Sequence, residues 1–182
     1  MTKDDYVIVL DFLTHGKSSD RKAEPLAQVL GEKFFNLLEI VMREDIATKP
    51  KDRIYIGEEK RDKVRYIRGR IGYKDLTSFA KAELEETIEE LVDKDEKRFA
   101  NFFNIAGPIT TRLHTLELLP GVGKKHLWQI IGERKKKPFE DFKELQDRIK
   151  MLPDPKRMVI RRIVTELEGK DRYRLFVGSG II

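Results

Sequence analysis

The stretch LELLPGVGKKHLWQIIGERKKKPFEDFKEL, Leu116–Leu145, breaks an amphipathic helical pattern with a proline and two glycines, then resumes it with positive charge. Pro120 lacks an amide and clashes with the preceding turn, so it ends a helix expected over Thr110–Leu118. Gly121 and Gly123 permit positive φ and leave no Cβ in the way. A second helix is expected from Gly123 or Lys124, with its first amides pointing into the open beside the turn. An anion there would meet N–H groups and the positive end of the helix dipole. Lys124 and Lys125 add full charges at the same place. Nothing in the pattern reads a base, so it points to phosphate contact without sequence selection.

The pattern recurs. Shifted by 33 residues, Leu119–Ile131 overlays Leu152–Val164: Leu119 meets Leu152, Pro120 meets Pro153, Leu127 meets Ile160, and Ile130 and Ile131 meet Ile163 and Val164. Two helix–turn–helix units with approximate two-fold symmetry follow, the intervening PFEDFKELQDRIK supplying the first helix of the second unit. That unit has Asp154 and Lys156 where the first has glycines, so its contribution is the charge of Lys156, Arg157, Arg161 and Arg162. Trp128, beside Leu127 and Ile131, is expected in the seam between the units.

Around this region the charge is uneven. The 182 residues carry a net +5, divided as +3 over 1–74, −5 over 75–107 and +7 over 108–182. An acidic amphipathic helix, with Leu76, Phe79, Ala80, Leu84, Ile88, Leu91 and Val92 on its apolar face, is expected to join two basic ends, capped by Thr77 or Asp75. The basic balance suggests an anionic partner. There is no cysteine, which excludes a disulfide framework, a zinc ribbon and an iron–sulfur cluster. The first apolar run is interrupted at Asp11, too short for a signal peptide or membrane span; a cytoplasmic protein with no membrane partner is expected. Three Gln and three Asn among so many Lys, Arg and Glu resemble the bias of proteins from hot environments.

Residues 1–74 read as strands: Tyr6–Leu13, Phe34–Met42, Arg53–Gly57 and Val64–Tyr73, with a long loop Thr14–Lys33 carrying a turn of helix near Leu26–Leu30. Sorted by period two, Tyr66, Arg68 and Arg70 share a basic face of the fourth strand. An aromatic among arginines on an open sheet suits a single strand held by stacking and charge.

The Leu-Pro-Gly-Val-Gly hairpin with its downstream PFEDFKEL resembles the helix–hairpin–helix family over Ile109–Glu168. The resemblance implies that amides near Gly121, Val122, Gly123, Lys124 and Lys125 contact nucleic-acid phosphates. It also implies a monovalent cation on the carbonyls of Glu117, Leu119 and Val122, and no other cofactor. In layout the whole chain resembles the archaeal domain of unknown function 655 family, which implies an OB-like front domain and nucleic-acid binding. The expected fold class is therefore α+β: an N-terminal OB-like β-barrel over 1–74, an acidic helical linker over 75–107, and a tandem helix–hairpin–helix domain over 108–182. An OB barrel has five strands, and Arg172–Gly178 is the candidate fifth, returning from the C-terminus.

The function expected from these features is binding of RNA or DNA without sequence readout, RNA being ahead because of the family resemblance, and no enzymatic activity. A protein–protein adaptor within a nucleic-acid complex is the alternative. A glycosylase-like enzyme would use Lys125 as nucleophile, with a carboxylate about eighteen residues on; Lys143 stands there, and Asp141 is only nearby.

Overall fold

The computed structural model describes residues 3–178. Five antiparallel strands come first: β1 Tyr6–Leu13, β2 Leu26–Gly31, β3 Leu37–Met42, β4 Arg53–Tyr55 and β5 Val64–Arg70, in the spatial order β4-β1-β2-β3-β5. Five α-helices follow: α1 Ser78–Lys94, α2 Glu96–Ile105, α3 Lys124–Lys136, α4 Phe142–Arg148 and α5 Pro155–Leu167. The α+β class and the strand-then-helix order agree with the sequence; the strand count needs two corrections. Leu26–Gly31 is a strand in the middle of the sheet and not a turn of helix. Arg172–Gly178 forms no strand.

Both corrections have physical causes. All six residues of β2 are buried, as are all six of β3, so neither shows the alternation that marks a one-sided strand. Ala27, Val29, Leu38, Ile40 and Met42 face the main core with Val7, Val9, Ile54, Ile56 and Val64. The other face carries Leu26, Leu30, Leu37 and Val41, together with buried Gln28 and Glu39. These two polar side chains are satisfied: Gln28 Nε2 donates to Glu39 Oε1 and to the Asp75 carbonyl, each at 3.0 Å. Gln28 Oε1 accepts the Thr77 amide at 2.8 Å, which pins the entry to α1 onto the sheet. Thr77 then caps α1, its Oγ1 accepting the Ala80 amide at 3.0 Å and donating to Asp11 at 2.6 Å. Residues of both edge strands, Tyr55 on β4 and Ile67 and Arg70 on β5, line one cavity of about 560 Å³. The sheet is thus curled into a half-barrel.

The segment after α5 is held by a carboxylate in place of a strand ladder. Glu166, 2% exposed, accepts the amides of Leu175, Phe176 and Val177 at 2.7, 3.1 and 3.0 Å. The Gly178 amide then donates to the Phe34 carbonyl. Asp4 does similar work at the β2–β3 turn, accepting the amides of Lys33 and Phe34 and the Asn36 side chain, each at 2.8 Å.

The chain divides into two compact units: everything up to Thr87 together with the segment beginning at Glu166, and Ile88–Thr165. The boundary falls inside α1, at neither of the composition breaks after 74 and 107. In the second unit the apolar side of α2 (Phe99, Ala100, Phe102, Phe103) and Leu127, Ile130, Leu145, Ile160 and Ile163 of the later helices are buried. The helix expected over Thr110–Leu118 is reduced to a single 3-10 turn, Thr115–Leu118. Thr110 Oγ1 accepts the amides of Arg112 and Leu113, a local bond that competes with the helical ladder.

Replacing Glu166 by alanine leaves three buried amides without an acceptor and is expected to cost about 4 kcal/mol of stability. Urea denaturation measures it; a loss below about 1 kcal/mol would mean the C-terminal segment is held by its apolar contacts alone.

Candidate nucleic-acid interface

Of the two glycines in the turn Leu119–Gly123, Gly121 alone takes the positive φ that both permit. Gly121 has φ +91°, and a Cβ there would lie 3.1 Å from the Pro153 ring. The two repeated turns therefore touch, proline of one against glycine of the other, as the 33-residue repeat implies. Gly123 is extended at φ −98°, ψ −173° and is the N-cap of α3, with no side chain capping the helix. The Leu127 amide is the one that returns to the Gly123 carbonyl, so the amides of Lys124, Lys125 and His126 have no acceptor within the helix. Nothing lies within 4 Å of a Cβ built on Gly123. Val122 is buried, and the His126 ring lies 3.3 Å from the Gly121 carbonyl.

The cations at this end differ in their freedom. Lys124 Nζ lies 2.8 Å from Glu117 Oε1 and 3.3 Å from the Arg112 carbonyl. The hydrogen bond from Lys124, joined by one from the His114 amide, holds the Glu117 carboxyl below its ordinary pKa. Lys125 is exposed and makes no ion pair among the described residues. The Leu119 carbonyl accepts the Val122 amide at 3.2 Å, which leaves it one lone pair for a cation. In the second repeat, Lys156 is committed to the end of α1: its Nζ is 2.9 Å from Asp93 and 3.1 Å from Glu89, and those partners raise its pKa. Arg157 lies 3.6 Å from Glu89. Arg162 is 3% exposed, its guanidinium donating to the Leu118 carbonyl at 3.3 Å. Of the four basic residues named in the second repeat, Arg161 alone is exposed without an ion pair among the described residues.

Trp128 is not in a seam. It is 65% exposed, on the side of α3 opposite buried Leu127 and Ile130. Sequence reasoning placed it by its apolar neighbours; counting helical positions would have placed it with Lys124, Lys125, Gly132 and Lys135.

The basic sheet face is altered by two β-bulges. Val41 pairs with Tyr66 and Met42 with Val64, while Glu39 pairs with Gly69 and Ile40 with Ile67. Arg65 and Arg68 are thus the extra residues, and each resets the alternation. Arg70 pairs with Leu38 and lines the half-barrel cavity; Tyr66 and Arg68 line a separate depression with Asp20 and Glu24. The three residues do not share a face. Acidic side chains of the β1–β2 loop also engage two of them. Arg68 donates to both Asp20 oxygens at 2.9 and 2.5 Å, and the Tyr66 hydroxyl donates to Glu24 at 2.8 Å. The Arg68 hydrogen bond is the main reason the Asp20 pKa falls from 3.8 to about 2.

The residues of the glycosylase alternative are also placed. Asp141 caps α4, its Oδ1 accepting the Glu144 amide at 2.7 Å, and Lys143 pairs with Asp147 at 2.5 Å. Among the described residues no group of three or more His, Cys, Asp or Glu is arranged to hold a metal ion, and no helix is long and apolar enough to cross a membrane.

These features define an α+β protein with a curled five-stranded sheet and a helical unit built on a repeated proline turn. The family model described as "Protein of unknown function (DUF655)" matches residues 3–178, and the chain belongs to that family. It is 46% identical over 176 residues to the uncharacterized protein MJ0038 of Methanocaldococcus jannaschii, covering 96% of this chain and 80% of that one. The crystal structure of Af1531 from Archaeoglobus fulgidus, assigned to the same family, superposes with a TM-score of 0.85 at 46% identity. It covers 96% of this chain and 100% of its own.

Because its pKa is depressed on folding, Asp20 contributes stability above its ordinary pKa of 3.8 and loses that contribution as the pH falls toward 2. In an Arg68→Met variant the Asp20 carboxyl pKa is expected to rise from about 2 toward its ordinary 3.8, followed by NMR of the side-chain carbonyl. A value still near 2 would assign the shift to the Lys17 amide instead.

Proposed function

We propose that this protein binds nucleic acid without sequence readout, gripping backbone phosphate at the uncapped N-terminus of α3. The observation that carries this reading is the open cradle at Gly123: free helix amides, no Cβ over them, and Lys124 and Lys125 beside them. The repeated proline turn supports a tandem helix–hairpin–helix domain, and the five curled antiparallel strands support an OB-like first unit. The phosphate grip is assigned to Gly121–Lys125, with Arg161 as an outlying charge. A monovalent cation on the carbonyls of Glu117, Leu119 and Val122 would add positive charge at the same turn. The sheet face of Tyr66 and Arg68 is a weaker candidate, since Asp20 and Glu24 already occupy its donors. RNA is favoured over DNA on the strength of the OB-like first unit.

Gly121 is a poor position for a test, because its positive φ and its contact with Pro153 would make any larger residue destabilising. Gly123→Asp is cleaner. The position has N-cap geometry and open space, so aspartate there should cap α3 and leave stability equal or slightly higher. Its carboxylate would occupy the amides that phosphate needs. Binding to single-stranded RNA, duplex RNA and duplex DNA of matched length is measured across salt. The native protein is expected to show a steep negative salt dependence, and Gly123→Asp a loss of about tenfold or more, roughly one charge-assisted contact and one repulsion. Unchanged affinity in the folded variant would sink the phosphate grip. Negligible binding of the native protein to all three would redirect the search to a protein partner.

A further inference from the structure

We infer that the exposed face of α3 is a stacking platform on which Trp128 takes an unpaired nucleobase from the strand whose phosphate sits at Gly123. The inference rests on the phosphate reading above and deepens it, by naming single-stranded nucleic acid as the preferred form.

Three observations converge. The first is the indole itself. Trp128 is 65% exposed and has neither a ring partner nor a hydrogen-bond partner among the described residues. An aromatic of this size is normally buried or hydrogen-bonded, and here the native structure employs it for neither purpose. The second is the company it keeps. Exposed positions along α3 are Lys124, Lys125, Trp128, Gly132, Lys135 and Lys136; Lys136 is paired with Glu133, and the other five follow steps of three and four residues along one side of the helix. That side carries cations and no acidic residue, which suits an anionic strand. Over the roughly 15 Å from Lys125 to Lys135, at 1.5 Å per residue, it offers a charge at each end and an aromatic between.

The third is Gly132. Glycine is the least favourable residue for a helix interior after proline, and a glycine kept there normally has a reason in backbone conformation or packing. Gly132 has neither: its φ is not in the left-handed region, and a Cβ would meet nothing within 4 Å. Its missing side chain keeps the helix surface one turn beyond Trp128 bare. A helical side chain leans back over the turn N-terminal to it, so any larger residue at 132 would lie toward Trp128, one turn earlier. One turn before Trp128, the Lys124 ammonium is engaged by Glu117 and the Arg112 carbonyl. The indole is left open to a flat ligand, next to amides suited to a phosphate.

Trp128 is the sole tryptophan of the chain, so its fluorescence reports the site directly. The full-length protein is titrated with oligouridylate of about twelve nucleotides, the upper range of one binding module, and with an RNA duplex of the same length. Quenching is expected with the single strand and little change with the duplex. Trp128→Ala should weaken single-strand binding about tenfold or more, leave duplex binding within about twofold, and be rescued largely by Trp128→Phe. Gly132→Gln should raise the denaturation midpoint while weakening single-strand binding, a pairing that a purely structural glycine does not produce. Equal single-strand affinity in Trp128→Ala, or saturation without any fluorescence change, would overturn the inference. The two readings separate cleanly. Loss of both probes in Gly123→Asp with loss of the single strand alone in Trp128→Ala supports both. Single-strand loss in Trp128→Ala with normal binding in Gly123→Asp keeps the platform and removes the phosphate grip. No binding of the native protein to either probe removes both.

Discussion

The helical unit depends on arginine guanidiniums that reach the carbonyls left over where its helices end. Arg134 donates to Phe103 and Ala106 at the end of α2, at 3.2 and 2.7 Å. Arg148 donates to Glu133 and Lys137 at the end of α3, at 2.6 and 2.8 Å. Arg162 reaches the carbonyl of Leu118, which closes the 3-10 turn. Helices of seven to thirteen residues expose a large share of orphan carbonyls for their length, and burying those ends requires donors. A guanidinium brings several donors in one plane and keeps its charge; burial lowers the Arg134 pKa without threatening its protonation. Each such charge-assisted bond contributes about 1.5–3 kcal/mol.

This requirement reorganises the meaning of positive charge in the chain. The +7 of residues 108–182 looks like a surface for an anion, yet Arg134, Arg148 and Arg162 serve the backbone, and Lys156 serves Asp93 and Glu89. In the first unit Arg68 is likewise tied to Asp20 and Arg65 to Glu24 at 3.2 Å. Neutralisation inside the fold leaves a sparse set of exposed cations, and Lys125 and Lys135 stand on the same helix as the uncapped Gly123. Net charge counts all of these residues equally; only tertiary partners separate the structural ones from those still available.

Much of the helical half was legible in the sequence because its determinants are local. A proline, two glycines and a repeat at a fixed spacing specify turns wherever they occur, and α3 begins at Lys124 as they require. The sheet was less legible. Leu26–Gly31 lies in the centre, buried on both faces, and a short run apolar on all sides does not disclose its period. Arg70 was assigned to the wrong face because period two holds only between bulges, and the one local sign of irregularity was Gly69, with φ +152°. The Arg172–Gly178 segment has a strand-like composition, but the amides of Leu175, Phe176 and Val177 are claimed by Glu166, a partner fixed by tertiary structure. Trp128 differs from its expected place for another reason: large aromatics are usually core, whereas its helical position falls among the exposed lysines of α3.

The C-terminal segment held by Glu166 has a consequence for how the chain is put together. Because it belongs with the sheet, the helical unit is a guest inserted into a host whose own polypeptide resumes afterwards. Ribosomal synthesis therefore delivers all five strands first and supplies the rest of the host unit only after the guest has emerged. A fragment stopped at Thr165 would carry the whole guest and a host without its final piece.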